Sequence, residues 1–146
     1  MHKTIAASFV AVVALAITVA AQGGTFPLVQ KTPDQLTWTK SPNGVETAVL
    51  VGDPTRPGLY ALRLKFPAGL KLQPHFHPDQ RIAVILSGTI YFALGETFDE
   101  KALKPLPAGS TWTEPPNTAH FAYAKNGDVV IQVTGIGPTA TTPVVK

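Results

Sequence analysis

Gly69-Leu70-Lys71-Leu72-Gln73-Pro74-His75-Phe76-His77-Pro78-Asp79-Gln80-Arg81 is the stretch on which the reading of the chain turns. On an extended strand, residues i and i+2 point to the same side. His75 and His77 therefore present two imidazoles on one face, about 7 Å apart along the chain. A second block, Gly109-Ser110-Thr111-Trp112-Thr113-Glu114-Pro115-Pro116-Asn117-Thr118-Ala119-His120, holds the one remaining histidine apart from His2. If a strand from another part of a barrel brings His120 to the opposite wall, three neutral imidazoles face inward. Such a set suits Fe, Mn, Ni, Cu, Co or Zn and leaves coordination positions open. The plain alternative, three core or surface histidines without a metal, stays open on spacing alone.

Outward from these blocks, the chain breaks into short runs of Val, Ile, Leu, Thr and aromatics bounded by Gly, Pro, Asn or Asp. Gln35–Thr39, Thr47–Val51, Leu59–Phe66, Arg81–Leu86, Thr89–Leu94, Ser110–Glu114, Thr118–Ala124 and Val129–Thr134 read as strands. Ser87-Gly88-Thr89 reads as a tight turn. Tyr60 to Phe66 alternates, with Tyr60, Leu62, Leu64 and Phe66 on one face and Arg63 and Lys65 on the other. The 14 prolines and 12 glycines fall mainly between the runs, as turn residues do. Phe98–Leu103 is the only helical candidate. This predicts an all-β antiparallel sandwich or barrel, its core built by Leu62, Leu64, Phe66, Val84, Leu86, Ile90, Phe92 and Ile131. Phe66, Phe76, Phe92, Trp112 and Phe121 read as core or barrel lining. Tyr91 and Tyr123 are candidates for hydroxyls near a pocket.

The chain of 146 residues fits one domain. Met1-His2-Lys3, the apolar run Ile5–Ala20 and the small residues Val19-Ala20-Ala21 have the layout of a secretory signal over 1–21. The run is shorter than the roughly 20 residues of a spanning helix. There is no cysteine, so neither a disulfide nor a Cys-linked lipid is available. The expected address is the periplasm or outside the cell, with no membrane attachment after cleavage. Residues 22–56 form a lead-in with the first strands, 57–137 the domain core and 138–146 a tail. The net charge of +3 is scattered, which gives no nucleic-acid footprint. No nucleophile elbow, phosphate loop or dinucleotide fingerprint is present.

The two histidine blocks resemble the signature of the cupin superfamily, in particular small exported cupin_2-like proteins of one domain. In the first cupin motif, Gly69, His75, His77 and Gly88 fall in place; in the second, Gly109, Pro115 and His120 do. The resemblance spans about Leu59 to Thr134 and implies a cupin-type β-barrel, the double-stranded β-helix or jelly roll. It also implies one divalent metal on His75, His77 and His120. Three positions depart from the pattern. Arg81 stands where the family has its Glu ligand, Asn117 replaces a Gly, and Ala124 replaces the closing Asn. A cation beside a divalent metal lowers its affinity. Arg81 is therefore expected to face inward and hold an anionic substrate, in a metal site or in a metal-free anion site. Its alternative is a place at the surface with Asp79 as partner. Glu114 offers a replacement carboxylate or a partner for Arg81, and Gln73, with the parity of His75, is expected at the mouth. The resemblance further implies a small-molecule ligand or substrate, a homodimer, and dioxygenase-like or related oxidoreductase chemistry. The rival reading is a non-catalytic protein that binds a small anion through Arg81 and the histidines.

Overall fold

The computed structural model describes residues 26–145, so the signal-like segment over residues 1–21 lies outside the described residues. The lead-in carries one 3-10 turn, Pro33–Gln35. Eleven strands follow: β1 Thr39–Lys40, β2 Glu46–Val51, β3 Gly58–Phe66, β4 Lys71–Phe76, β5 Arg81–Ser87, β6 Thr89–Leu94, β7 Lys104–Pro107, β8 Thr111–Glu114, β9 His120–Tyr123, β10 Val129–Gly137 and β11 Thr142–Pro143. They form two sheets, in the orders β1-β2-β3-β10-β5-β8 and β11-β4-β9-β6-β7. Every pairing is antiparallel. The architecture is the expected all-β one.

The core lies between the sheets. Tyr60, Leu62 and Phe66 from β3, Ile90 from β6 and Val129, Ile131 and Val133 from β10 are buried there, following the period-2 alternation of strands. Leu64 and Phe92 pack on this core from partly buried positions. The expectation for β5 is corrected. Val84 and Leu86 are 37% and 42% exposed, whereas Arg81, Ala83 and Ile85 are buried. The run Ile82–Leu86 is apolar at every position, so it carries no alternation to read. Its facing is set by Arg81, whose buried ion pair turns the odd-numbered residues inward.

Three other expectations change. Phe98–Leu103 forms no helix: Asp99 caps a single turn, accepting from Lys101 N–H through its side chain (2.9 Å) and from Ala102 N–H through its carbonyl (3.1 Å). Gln35–Thr39 yields only the 3-10 turn and the start of β1, because Pro33 at the first helical position favours a turn. The tail adds β11 to the edge of β4.

The register of β4 against β9 positions the site. Leu72 pairs with Ala122 and His75 with His120, so β4 spends three residues where β9 spends two. This is a bulge at Gln73-Pro74, where a proline without an N–H is tolerated. The extra residue reverses parity, so that Leu72 packs on the core and His75 also faces the interior. Asn117, at the position of the family's Gly, has φ 56°, a left-handed turn conformation that Asn accepts. Its N–H donates to the carbonyl of His77 at 2.7 Å.

Candidate metal centre

His75 stands on β4, His77 one residue beyond its end, and His120 opens β9 directly opposite His75. Their ring centroids lie 4.4 to 5.3 Å apart. The three residues can each offer one nitrogen such that all lie within 4.8 Å of one another. His77 and His120 are 4% and 3% exposed, and His75 is partly open.

Each ring is anchored by a backbone carbonyl. Nδ1 of His75 meets the carbonyl of Gln73 at 2.6 Å, Nδ1 of His77 that of Ala140 at 2.7 Å, and Nδ1 of His120 that of Thr118 at 3.0 Å. A carbonyl only accepts, so each Nδ1 carries the proton and donates it. In the neutral ring this leaves the Nε2 lone pair free. The same arrangement orients histidine ligands in metal sites. Burial first, then the Arg81 cation, pulls His77 down to about 4. Burial also lowers His75. Both effects favour the neutral imidazole that ligation requires.

Facing these nitrogens is Glu114, 6% exposed. Its Oε1 lies 3.6 Å from Nε2 of His120 and its Oε2 lies 3.8 Å from Nε2 of His77. These separations are too long for hydrogen bonds. Among the described residues Nε2 of His77 is buried without a partner. Lone pairs on imidazole nitrogens thus face lone pairs on a carboxylate. A cation among them would satisfy both sides, and the donor set of imidazole and carboxylate fits a divalent transition metal or zinc.

Arg81 is directly opposite Glu114 across the β5–β8 ladder. It donates to Oε2 from Nε at 2.8 Å and also from Nη2. Trp112, two residues from Glu114 and on the same strand face, donates its indole N–H to Oε1 at 2.9 Å. Phe92 packs on both Trp112 and His120, with centroids at 5.1 and 5.4 Å. Burial pushes the Glu114 carboxyl up, but the Arg81 cation and the bonds from Arg81 and Trp112 outweigh it, and it is held below the usual carboxylate range.

The sequence model of the ChrR cupin-like domain family matches residues 28–140. The chain belongs to the ChrR cupin-like domain family. No curated protein matches this cupin in sequence. Among solved structures it is similar to an RmlC-like cupin from Shewanella frigidimarina (18% identity, TM-score 0.60, covering 73% of this chain and 87% of that one). It is also similar to the DMSP lyase DddQ from Ruegeria pomeroyi (20% identity, TM-score 0.61, 82% and 74% covered). A third is the polyketide cyclase RemF from Streptomyces resistomycificus (12% identity, TM-score 0.65, 82% and 87% covered). At these identities the likeness establishes the fold.

Within this cupin, His75, His77, His120, Arg81 and Glu114 come together. Arg81 points inward, but its guanidinium is engaged by Glu114 rather than held open for an anion. Asp79 is not its partner: Tyr60 donates its hydroxyl to Asp79 Oδ2 at 2.6 Å in a separate buried pair. Gly135 lies against that pair, since a Cβ there would meet Tyr60 Oη at 2.6 Å. Gln73 is exposed. The bulge breaks the parity that placed it with His75, and it contributes its carbonyl to the His75 ring instead. Tyr91 accepts from Asn126 at 2.8 Å in an exposed contact, and Tyr123 lies under the Lys71 ammonium. Trp112, expected only as core or barrel lining, is a site residue the sequence reading missed, and its i, i+2 spacing to Glu114 on one strand face is the signal that could have found it. The carbonyls of Gln73, Thr118 and Ala140 have no sequence signal, because every residue carries one.

Proposed function

We propose that this cupin is a metal-dependent enzyme acting on a small molecule, with one divalent ion held by the Nε2 atoms of His75, His77 and His120. The observation that carries the reading is the tautomer lock: three Nδ1–H groups spent on backbone carbonyls, and three lone pairs left to converge. Glu114 places a carboxylate beside the three nitrogens, on the neighbouring strand and directly across the ladder from position 81, where the family has its Glu ligand. Arg81 and Trp112 hold that carboxylate in place. Arg81 also cancels its charge, so the site binds a dication with less electrostatic help than a free carboxylate would give. When bound, the ion supplies a Lewis acid with open positions for a substrate or dioxygen. His75, the most open of the three, marks the side from which a small molecule reaches it, and Phe92 packs on the ring of His120.

Dioxygenase or related oxidoreductase chemistry is the reaction class we assign, with export to the periplasm as its setting. It rests on the resemblance to cupins that work with three histidine ligands. The metal-free anion reading loses its motive, because Glu114 already occupies the Arg81 guanidinium. Metal analysis of the protein isolated from its host, followed by oxygen uptake with a panel of small thiols, diketones and organic acids, tests the proposal. About one ion per chain and substrate-dependent oxygen consumption are expected. An ion without oxygen consumption would move the reaction to non-redox Lewis-acid chemistry, and the absence of an ion in protein that remains folded would overturn the reading.

A further inference from the structure

The lead-in does not hang free. It crosses the outer face of the six-stranded sheet and leaves a groove of about 320 Å³ between itself and β2, β3 and β10. Val29, Lys31 and Leu36 line it from the lead-in; Leu50, Arg63 and Gln132 line it from the sheet. Arg63 alternates with Leu62 and Leu64, which face or pack on the core, so the groove lies on the opposite side of β3 from the barrel interior. Gln132 is in register with Arg63 on β10. The groove volume falls at the small end of ligand cavities, roughly 300–1,000 Å³.

Its chemistry is lopsided. Among the described residues Arg63 Nε is buried without a hydrogen-bond partner, and neither Arg63 nor Lys31 takes part in an ion pair. Glu46, the acidic residue of β2, is in register with Lys65 rather than Arg63, and Asp34 of the lead-in is not among the lining residues. A buried donor left without an acceptor is unfavourable, and a guanidinium offers paired donors that match a carboxylate. Apart from Gln132, the remaining lining is aliphatic.

We propose that this groove binds a small amphipathic anion, with its carboxylate or equivalent headgroup on Arg63 and Lys31 and a short apolar body over Val29, Leu36 and Leu50. The site is independent of the histidine centre. Isothermal titration of the purified protein, with metal chelated, against octanoate, octan-1-ol and octylammonium tests it. Octanoate is expected to bind, with the alcohol and the ammonium weaker by roughly tenfold or more, the scale of a lost hydrogen bond to a charged group. Arg63→Gln is expected to weaken octanoate by a similar factor. Lys31→Gln, on the exposed lead-in where folding is not at stake, is expected to weaken it several-fold. The His75→Ala/His77→Ala/His120→Ala protein is expected to bind octanoate as the wild type does. No octanoate binding, equal binding of octanoate and octanol, indifference to both groove substitutions, or loss of binding in the triple histidine variant would each overturn the proposal.

Discussion

Replacing Arg81 by Leu isolates what the buried pair does. Arg81 and Glu114 are 9% and 6% exposed, so both ions have left water. Without Arg81 the carboxylate loses two of its three N–H donors and keeps only the Trp112 indole. Removing one member of a buried pair costs about 3–5 kcal/mol, because the other charge is left uncompensated. In a domain of this size that lowers Tm by roughly 10–20 °C. Arg81→Leu combined with Glu114→Leu removes both charges, and is expected to regain most of the loss. Added zinc is expected to stabilise Arg81→Leu more than the wild type, since the dication then takes over the neutralising role of the guanidinium. Reversible urea denaturation of the wild type, both singles and the double, with and without zinc, reads all of these. A loss below ~1 kcal/mol for Arg81→Leu would refute the reasoning, and so would a double variant no more stable than the single.

Two further outcomes follow from the packing. Ile85→Ala is expected to cost about 2–5 kcal/mol and Val84→Ala under ~1 kcal/mol in the same denaturation assay; the reverse order would mean β5 faces the other way. Tyr60 is fully buried, and burial together with its bond to Asp79 pushes its hydroxyl up to about 12 from an ordinary value near 10. A group whose folded pKa is raised stabilises the fold fully below the unfolded value and loses that contribution as pH climbs through the folded one. Stability is therefore expected to fall by about 2–3 kcal/mol between pH 10 and 12, and Tyr60→Phe to remove that part of the decline. Denaturation measured across that range, alongside absorbance at the phenolate band, checks it; an unchanged slope in Tyr60→Phe would contradict the assignment.

Much of the fold was legible because strands bounded by Gly and Pro announce themselves by alternation, as Tyr60 to Phe66 does. Where alternation vanished, so did the facing: Ile82 to Leu86 is apolar throughout, and only the partner of Arg81 settles which side is inside. β7 was missed because Lys104–Pro107 contains two prolines and reads as loop, yet it pairs at the sheet edge, where a missing N–H is tolerated. The His75 and His77 pair was legible from its spacing and His120 from the resemblance of the second block, although the strand that presents His75 is bulged, and simple parity then misplaces Gln73. The link between Arg81 and Glu114 was visible only as one option, since residues 33 positions apart become neighbours through sheet register, and register depends on the whole barrel.

X-ray absorption at the zinc edge of the reconstituted protein reads the three-histidine site itself. One zinc per chain with three imidazole nitrogens at about 2.0–2.1 Å is expected, with loss of one imidazole in His77→Ala. Zinc surrounded by oxygen alone, or the same spectrum and stoichiometry in the triple His→Ala protein, would contradict it.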